Sequence, residues 1–313
     1  MRKRSIANKK ILVTGSRGFI GSNLIKKLQK KGASVIGASR SEHSKHLYKL
    51  DITSKEQVED LIEKERISII IHLAGESLVE SGQKDPYQTF KTNVMGTLNM
   101  LEVTREKKLE KIIIASTSHV YGKNRLPHYE GYIPRPTRPY ETSKTCTDLI
   151  AQSYADSFHL PVLISRMVNV YGPGDMNFDR LIPKTMRSIF KENKVKMWGG
   201  DAKRDYLYID DATDAYIKLA EYDIRKIKNR IFNFGSGNII TVKDLVDKII
   251  SASKTQVEIE KIQAERSSEL RSQYVSFKKA EKILDWRPRT NLDVGLVKTS
   301  KWYKDHFLRS TNL

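Results

Sequence analysis

Apolar and polar positions along the first half of the chain switch repeatedly between two patterns. The run "KKILVTG" (9–15) is apolar without alternation, and a stretch at helical spacing follows over 21–31. The exchange then recurs. "ASVIGAS" precedes a helical pattern around 54–65, "ISIIIHLAG" one around 88–107, and "EKIIIASTS" one around 140–158, which leads into "LPVLISRMVNVYG". Strands that are apolar on both sides are buried on both faces, which predicts a parallel sheet covered by helices front and back. The expected fold class is therefore α/β, a doubly wound Rossmann sheet.

Beyond residue 166 the rhythm changes. "VYGPGDMNFDRLIP" reads as loop, "IFNFGSG" as one more strand, and "TVKDLVDKII" as a helix. In that helix Thr241 and Asp244 have capping-box spacing, and Val242, Leu245, Val246 and Ile249 share a face. The expected organisation is a Rossmann domain over 1–165, joined by a returning segment at about 205–235. A smaller interleaved C-terminal substrate lobe takes 166–204 and 236–313. Substrate is expected in the crevice at the carboxyl ends of the strands.

The 313 residues are 39% hydrophobic and 30% charged, with no apolar run long enough to span a membrane. The basic N-terminus lacks the apolar stretch of a secretory signal. The lone cysteine, Cys146, excludes an internal disulfide framework and fits a reducing cytoplasm. A net charge of +19 suits an anionic partner, yet lysines are spread along the whole chain rather than gathered with aromatics. No nucleic-acid or membrane partner is expected. His43 and His46 have a ligand-like spacing without a third ligand, so no metal is expected.

Glycines recur at Gly15, Gly18 and Gly21, where the first strand turns into the first helix. Such a turn brings backbone N–H groups against a pyrophosphate at the positive end of the helix dipole. A purely structural turn is the alternative. Further along come "HLAG" (72–75), "STSHVYG" (116–122), "YETSK" (140–144) and "KRDYLYIDD" (203–211). In this order the segments resemble the extended short-chain dehydrogenase/reductase family, the NAD(P)-dependent nucleotide-sugar epimerases and dehydratases. "RMVNVYGPGDMNFDRLIP" and "ELRSQYVSFKKAEKILDW" look most like the branch of CDP-glucose 4,6-dehydratases.

Tyr140 and Lys144 are four apart and share a helical face. A nearby ammonium favours the phenolate, which makes Tyr140 a base for a sugar hydroxyl. The resemblance implies Thr117 as the hydroxyl orienting the sugar oxygen, with Ser118 against the substrate. Many dehydratases of the family carry acid and base residues at the two positions after that threonine. Here they are Ser118 and His119, a departure in which His119 is the candidate acid or base.

For the cofactor, the resemblance implies a site made by Gly15, Arg17, Gly18, Phe19, Ile20 and Gly21, with Asp51 and Ile52 at the adenine. Leu73, Ala74, Gly75 and Asn93 line the cleft, together with Tyr140 and Lys144. After the second strand stand Ser39 and Arg40 with no acid. Arg17 and Arg40 suit a 2′-phosphate and favour NADP, with NAD possible. Asn169, Arg204 and Arg266 match positions that hold a nucleotide diphosphate. The implied reaction begins with transient oxidation at C4 of a nucleotide-sugar. It continues as 4,6-dehydration, 4-epimerisation or ketosugar reduction; a non-catalytic NADP-binding protein is the alternative of another class. The family also implies a cytoplasmic homodimer paired through the helices around 88–107 and 140–158, with Leu149, Ile150 and Tyr154 on the second.

Overall fold

The computed structural model describes residues 5–41, 47–198, 200–224, 230–262 and 272–309. Six strands follow in chain order: β1 (Lys10–Thr14), β2 (Ser34–Ser39), β3 (Leu47–Lys49), β4 (Ile69–His72), β5 (Lys111–Thr117) and β6 (Val162–Met167). With Ile231–Phe234 they form a seven-stranded parallel sheet in the order Ile231–Phe234, β6, β5, β4, β1, β2, β3. β1 lies between β2 and β4, so successive crossovers leave it in opposite directions. A crevice opens at the carboxyl ends of strands at such a switch point.

The uninterrupted apolar runs are explained by the two layers of helices. Ile11 and Val13 join one buried cluster with Leu24 and Leu28 of α1 (Phe19–Lys30). Leu12, on the opposite side of the same strand, joins another with Val58 and Leu61 of α2 (Lys55–Glu65). α2 starts where Ser54 accepts a hydrogen bond from the Gln57 amide. The helix expected around 88–107 is interrupted. Pro86–Phe90 and Gly96–Glu106 are α-helical, and Lys91–Met95 between them winds as a π-helix. Edge strand β3 was not anticipated, since three residues carry too little periodicity to register.

A second sheet is built on Lys203–Tyr208, which pairs with Asn169–Tyr171, Ile239–Thr241 and Ser272–Gln273. The chain therefore returns to the main sheet only after residue 208, through helix Ile209–Glu221 and strand Ile231–Phe234. The returning segment expected from about 205 thus begins a few residues later, because Lys203–Tyr208 pairs within the second sheet. Helix Val242–Ser253 begins as its spacing predicts, with the Thr241 hydroxyl accepting from the Asp244 amide at 3.1 Å. Its Leu245, Val246 and Ile249 are buried in a third cluster with Tyr206, Tyr208 and Leu296. Val242, the fourth expected member of that face, is half-buried.

Helix Pro139–Ser157 is tied to the sheet by charge. Asp148, fully buried, receives Nε and Nη2 of Arg166 on β6, both at 2.8 Å, and Oγ of Ser116 on β5 at 2.7 Å. The Arg166 guanidinium also lies over the Tyr121 ring, 4.8 Å from its centroid. Removing one partner of a buried pair leaves the other charge without compensation. Asp148→Ala should therefore lower stability by about 3–5 kcal/mol in urea unfolding; a loss below about 1 kcal/mol would show that Arg166 does not depend on this carboxylate.

Candidate active site

The carboxyl ends of β1, β2, β4 and β5 open into one cavity of about 2490 Å³, which extends under the second sheet to Asn169 and Arg204. Gly15, Arg17, Gly18, Phe19, Ile20 and Gly21 line it at the start of α1. The backbone here has no room for side chains. Gly15 has φ +68, and a Cβ on Gly21 would stand 2.3 Å from the Gly15 carbonyl oxygen. Gly18 caps α1 with no side-chain hydrogen bond. A phosphate thus has open access to the helix N-terminus. This cradle fits a dinucleotide pyrophosphate.

Ser39, Arg40, Asp51, Ile52, Leu73, Ala74 and Gly75 also line the cavity. The Asp51 carboxylate accepts from the Thr53 amide and hydroxyl, at 2.9 and 2.8 Å, and these bonds hold it below the usual carboxylate range. Arg40 does meet an acid. Its Nη2 lies 3.2 Å from Glu76 Oε1, which the loop after β4 brings across from a distant part of the sequence. Asn93, expected on the cleft wall, does not line the cavity. It braces the wall from behind, accepting from the Glu76 amide at 2.8 Å and donating to the Ser143 hydroxyl at 2.9 Å.

Tyr140, Lys144, Thr117 and His119 come together in the same cavity. Pro139 occupies the first position of helix Pro139–Ser157, which places Tyr140 and Lys144 in its first two turns. Burial pushes Lys144 down to about 8, opposed by the Asp148 carboxylate, and its ammonium donates to the Ala115 carbonyl. Burial raises the Tyr140 phenol, with Arg180 and Thr117 acting against it. The Arg180 guanidinium, at the start of helix Leu181–Arg187, is the charge that acts most against burial at Tyr140, and burial outweighs it.

The segment after Thr117 turns tightly as a 3₁₀ helix, Ser118–Tyr121, with the Thr117 hydroxyl accepting from the His119 amide at 3.2 Å. The turn sends the two neighbours to different places. His119 lines the cavity, whereas Ser118 is buried and does not, contrary to the expected substrate contact. Beside His119 lies Glu141, whose Oε1 is 3.6 Å from its Nδ1. Arg138 donates to that same oxygen at 3.0 Å, and the Thr137 amide and hydroxyl donate to Oε2 at 3.0 Å each. Although burial works against the charge, His119, Thr137 and Arg138 hold Glu141 down to about 2.

Sequence reasoning passed over Arg138, Glu141 and Arg180. Glu141 sits inside "YETSK" and Arg180 inside "NFDRLIP", but nothing in their spacing reveals that the fold turns them toward Tyr140 or His119. Asn169 and Arg204 line the far end of the cavity; Arg266 lies outside the described residues, as do His43 and His46. Among the described residues no cluster of three metal-ligating side chains occurs, and no helix is long and apolar enough to cross a membrane.

The profile of the NAD dependent epimerase/dehydratase family matches residues 11–235. A UDP-glucuronate 4-epimerase of Thermodesulfobacterium geofontis is 28% identical over 320 residues, spanning 94% of this chain and 96% of its own. The crystal structure of a UDP-glucose 4-epimerase from Thermotoga maritima with UDP-glucose superposes with a TM-score of 0.88 at 28% identity. It covers 95% of this chain and 99% of that one. A dTDP-glucose 4,6-dehydratase from Bacillus anthracis in complex with NAD gives a TM-score of 0.83 at 27% identity, covering 95% and 97%. Epimerases and dehydratases thus match alike, and this chain belongs to the NAD dependent epimerase/dehydratase family of nucleotide-sugar enzymes.

Proposed function

We propose that the protein is a nucleotide-sugar 4,6-dehydratase acting through transient oxidation at C4. The observation that carries this reading is His119, a titratable group placed in the cavity beside Tyr140, their ring centroids 6.2 Å apart. Epimerisation needs proton transfer only at the C4 oxygen. Water loss across C5 and C6 needs a second acid–base group, and His119 supplies one. Bound nicotinamide supplies the hydride acceptor for the C4 oxidation. Thr117 orients the sugar oxygen, and Tyr140 takes the hydroxyl proton. Lys144 supports the cofactor and the phenolate.

A 4-epimerase is the second reading. It is favoured by Ser118, which leaves the cavity without the first of the two residues that dehydratases carry after the threonine. A panel of UDP-, GDP-, CDP- and dTDP-sugars separates the readings by mass spectrometry: loss of one water supports dehydration, and unchanged mass with altered sugar couplings supports epimerisation. His119→Ala should reduce water loss by about 10²–10⁴-fold while reduction of the cofactor by substrate survives. Tyr140→Phe should stop both. Unchanged product and rate in His119→Ala would remove the dehydratase reading.

Residues 168–208 and those from 236 onward are proposed as the nucleotide-sugar lobe, with Asn169 and Arg204, which line the cavity, toward the diphosphate. Arg266 is proposed with them on the family resemblance. The enzyme is proposed to work in a reducing cytoplasm, since its lone cysteine, Cys146, is free.

For the cofactor we propose NADP over NAD, supported by two exposed guanidiniums, Arg17 and Arg40, on the cavity wall. Glu76 competes for Arg40, so a 2′-phosphate must displace it. Each charged hydrogen bond contributes about 1.5 kcal/mol, the low end for exposed groups. Arg17→Ala combined with Arg40→Ala should erase most of the preference in titration calorimetry; equal affinities in the unmutated protein would defeat this assignment.

A homodimer is proposed through Pro86–Glu106 and Pro139–Ser157. Tyr87, Met95 and Leu149 support it, being large apolar side chains left exposed on these two helices. Ile150 and Tyr154 pack inward instead. Light scattering at micromolar concentration should give twice the 36.0 kDa chain mass; a monomer rejects the proposal.

A further inference from the structure

Glu141 is buried behind His119, which lines the cavity, and a buried anion is costly unless it is paired. Part of its surroundings is ordinary capping. Glu141 is the third residue of its helix, and Oε2 accepts from the Thr137 amide just ahead of the first turn. That accounts for one oxygen only. Oε1 faces Arg138 and the His119 imidazole, with Arg138 Nη2 at 2.9 Å and His119 Nδ1 at 3.6 Å.

Nδ1 of His119 is sealed from solvent and has no hydrogen-bond partner within ordinary distance, while the residue itself lines the cavity. The charged and titratable groups around the ring are Arg138, Tyr140, His128 and Glu141. Among the described residues, Glu141 is the anion that Nδ1 faces. Its separation of 3.6 Å is longer than a hydrogen bond, and hydrogen bonds between catalytic groups often tighten only when substrate is bound.

We infer that Glu141 is a positioning residue: its carboxylate holds the His119 ring with the proton on Nδ1, leaving Nε2 as the acid–base atom toward the substrate. A second nitrogen anchored on a carboxylate fixes both the tautomer and the orientation of an imidazole. Arg138 and Thr137 keep the carboxylate from rotating away. The consequence rests on the dehydratase reading above. In the eliminating step on the 4-keto sugar, Nε2 takes the C5 proton and the C5–H electron pair becomes the C5–C6 double bond. The C6–O bond breaks, and the imidazolium returns that proton to the departing hydroxyl, which leaves as water. One histidine thus serves as base and then acid, as required when Ser118 does not reach the cavity.

The tautomer is testable without turnover. In two-bond ¹H–¹⁵N spectra of the full-chain protein at mildly alkaline pH, with His119→Asn as the assignment control, His119 should carry its proton on Nδ1. In Glu141→Ala the proton should move to Nε2. A proton on Nε2 in the unmutated protein, or an unchanged pattern in Glu141→Ala, overturns the inference. Glu141→Gln preserves the shape of the helix start should the alanine variant fail to fold. It should slow water loss at least about tenfold while substrate still reduces the cofactor at the unmutated rate. Unchanged water loss in that variant also overturns it. If the unmutated protein epimerises without losing water, the dehydratase reading falls, and the tautomer spectra alone judge the role of Glu141.

Discussion

The helix Pro139–Ser157, which carries Tyr140 and Lys144, is held by one buried ion pair. Asp148 meets the Arg166 guanidinium through two nitrogens and takes a third hydrogen bond from Ser116. These contacts join Pro139–Ser157 to β5 and β6 at once. One helical turn before Asp148 stands Lys144, and one turn before that Tyr140, so the pair sets the height of both over the sheet. Ser116 immediately precedes Thr117, so the same contact fixes the end of β5 from which Thr117 enters the cavity. Asp148 also opposes the burial that lowers Lys144. A pair of this kind specifies a geometry more than it adds net stability, since burying both charges costs nearly what their attraction returns.

A second constraint is steric. Gly21 must approach the Gly15 carbonyl so closely that no Cβ fits between them, which brings the start of α1 against the end of β1. The open amides of that helix then face the cavity floor. Asn93 acts from the opposite wall, where its amide group holds Glu76 and Ser143 in place and stands 2.6 Å from where a Gly75 Cβ would be. The π-helical stretch Lys91–Met95 carries this asparagine; such irregular turns recur at functional sites.

Local charge decides more here than the net charge of +19. Arg40 pairs with Glu76, Arg180 lies 3.2 Å from Asp175, and Arg138 is bound to Glu141. These guanidiniums at the cavity are therefore partly neutralised before any ligand arrives. Each carboxylate also fixes the direction of its partner, so an anionic ligand meets oriented donors rather than a diffuse positive field.

Much of the fold was legible because it depends on period and on glycine. Apolar runs without alternation require a covered parallel sheet, and the spacing of Tyr140 and Lys144 requires a shared helical face. The glycine turn, the cap at Thr241 and the alternation of strand and helix are local, and each was readable without coordinates. What depended on residues far apart in the chain was not. The Glu76 carboxylate beside Arg40, the Arg180 guanidinium acting on Tyr140 and the divergence of Ser118 from His119 follow from loops crossing the strand ends. No local pattern encodes those crossings. The sequence by itself determined the class of fold, the glycine cradle at the start of α1 and the shared face of Tyr140 and Lys144. Only the tertiary structure decided which charges meet, because a Coulomb contact depends on distance in space and not on separation along the chain.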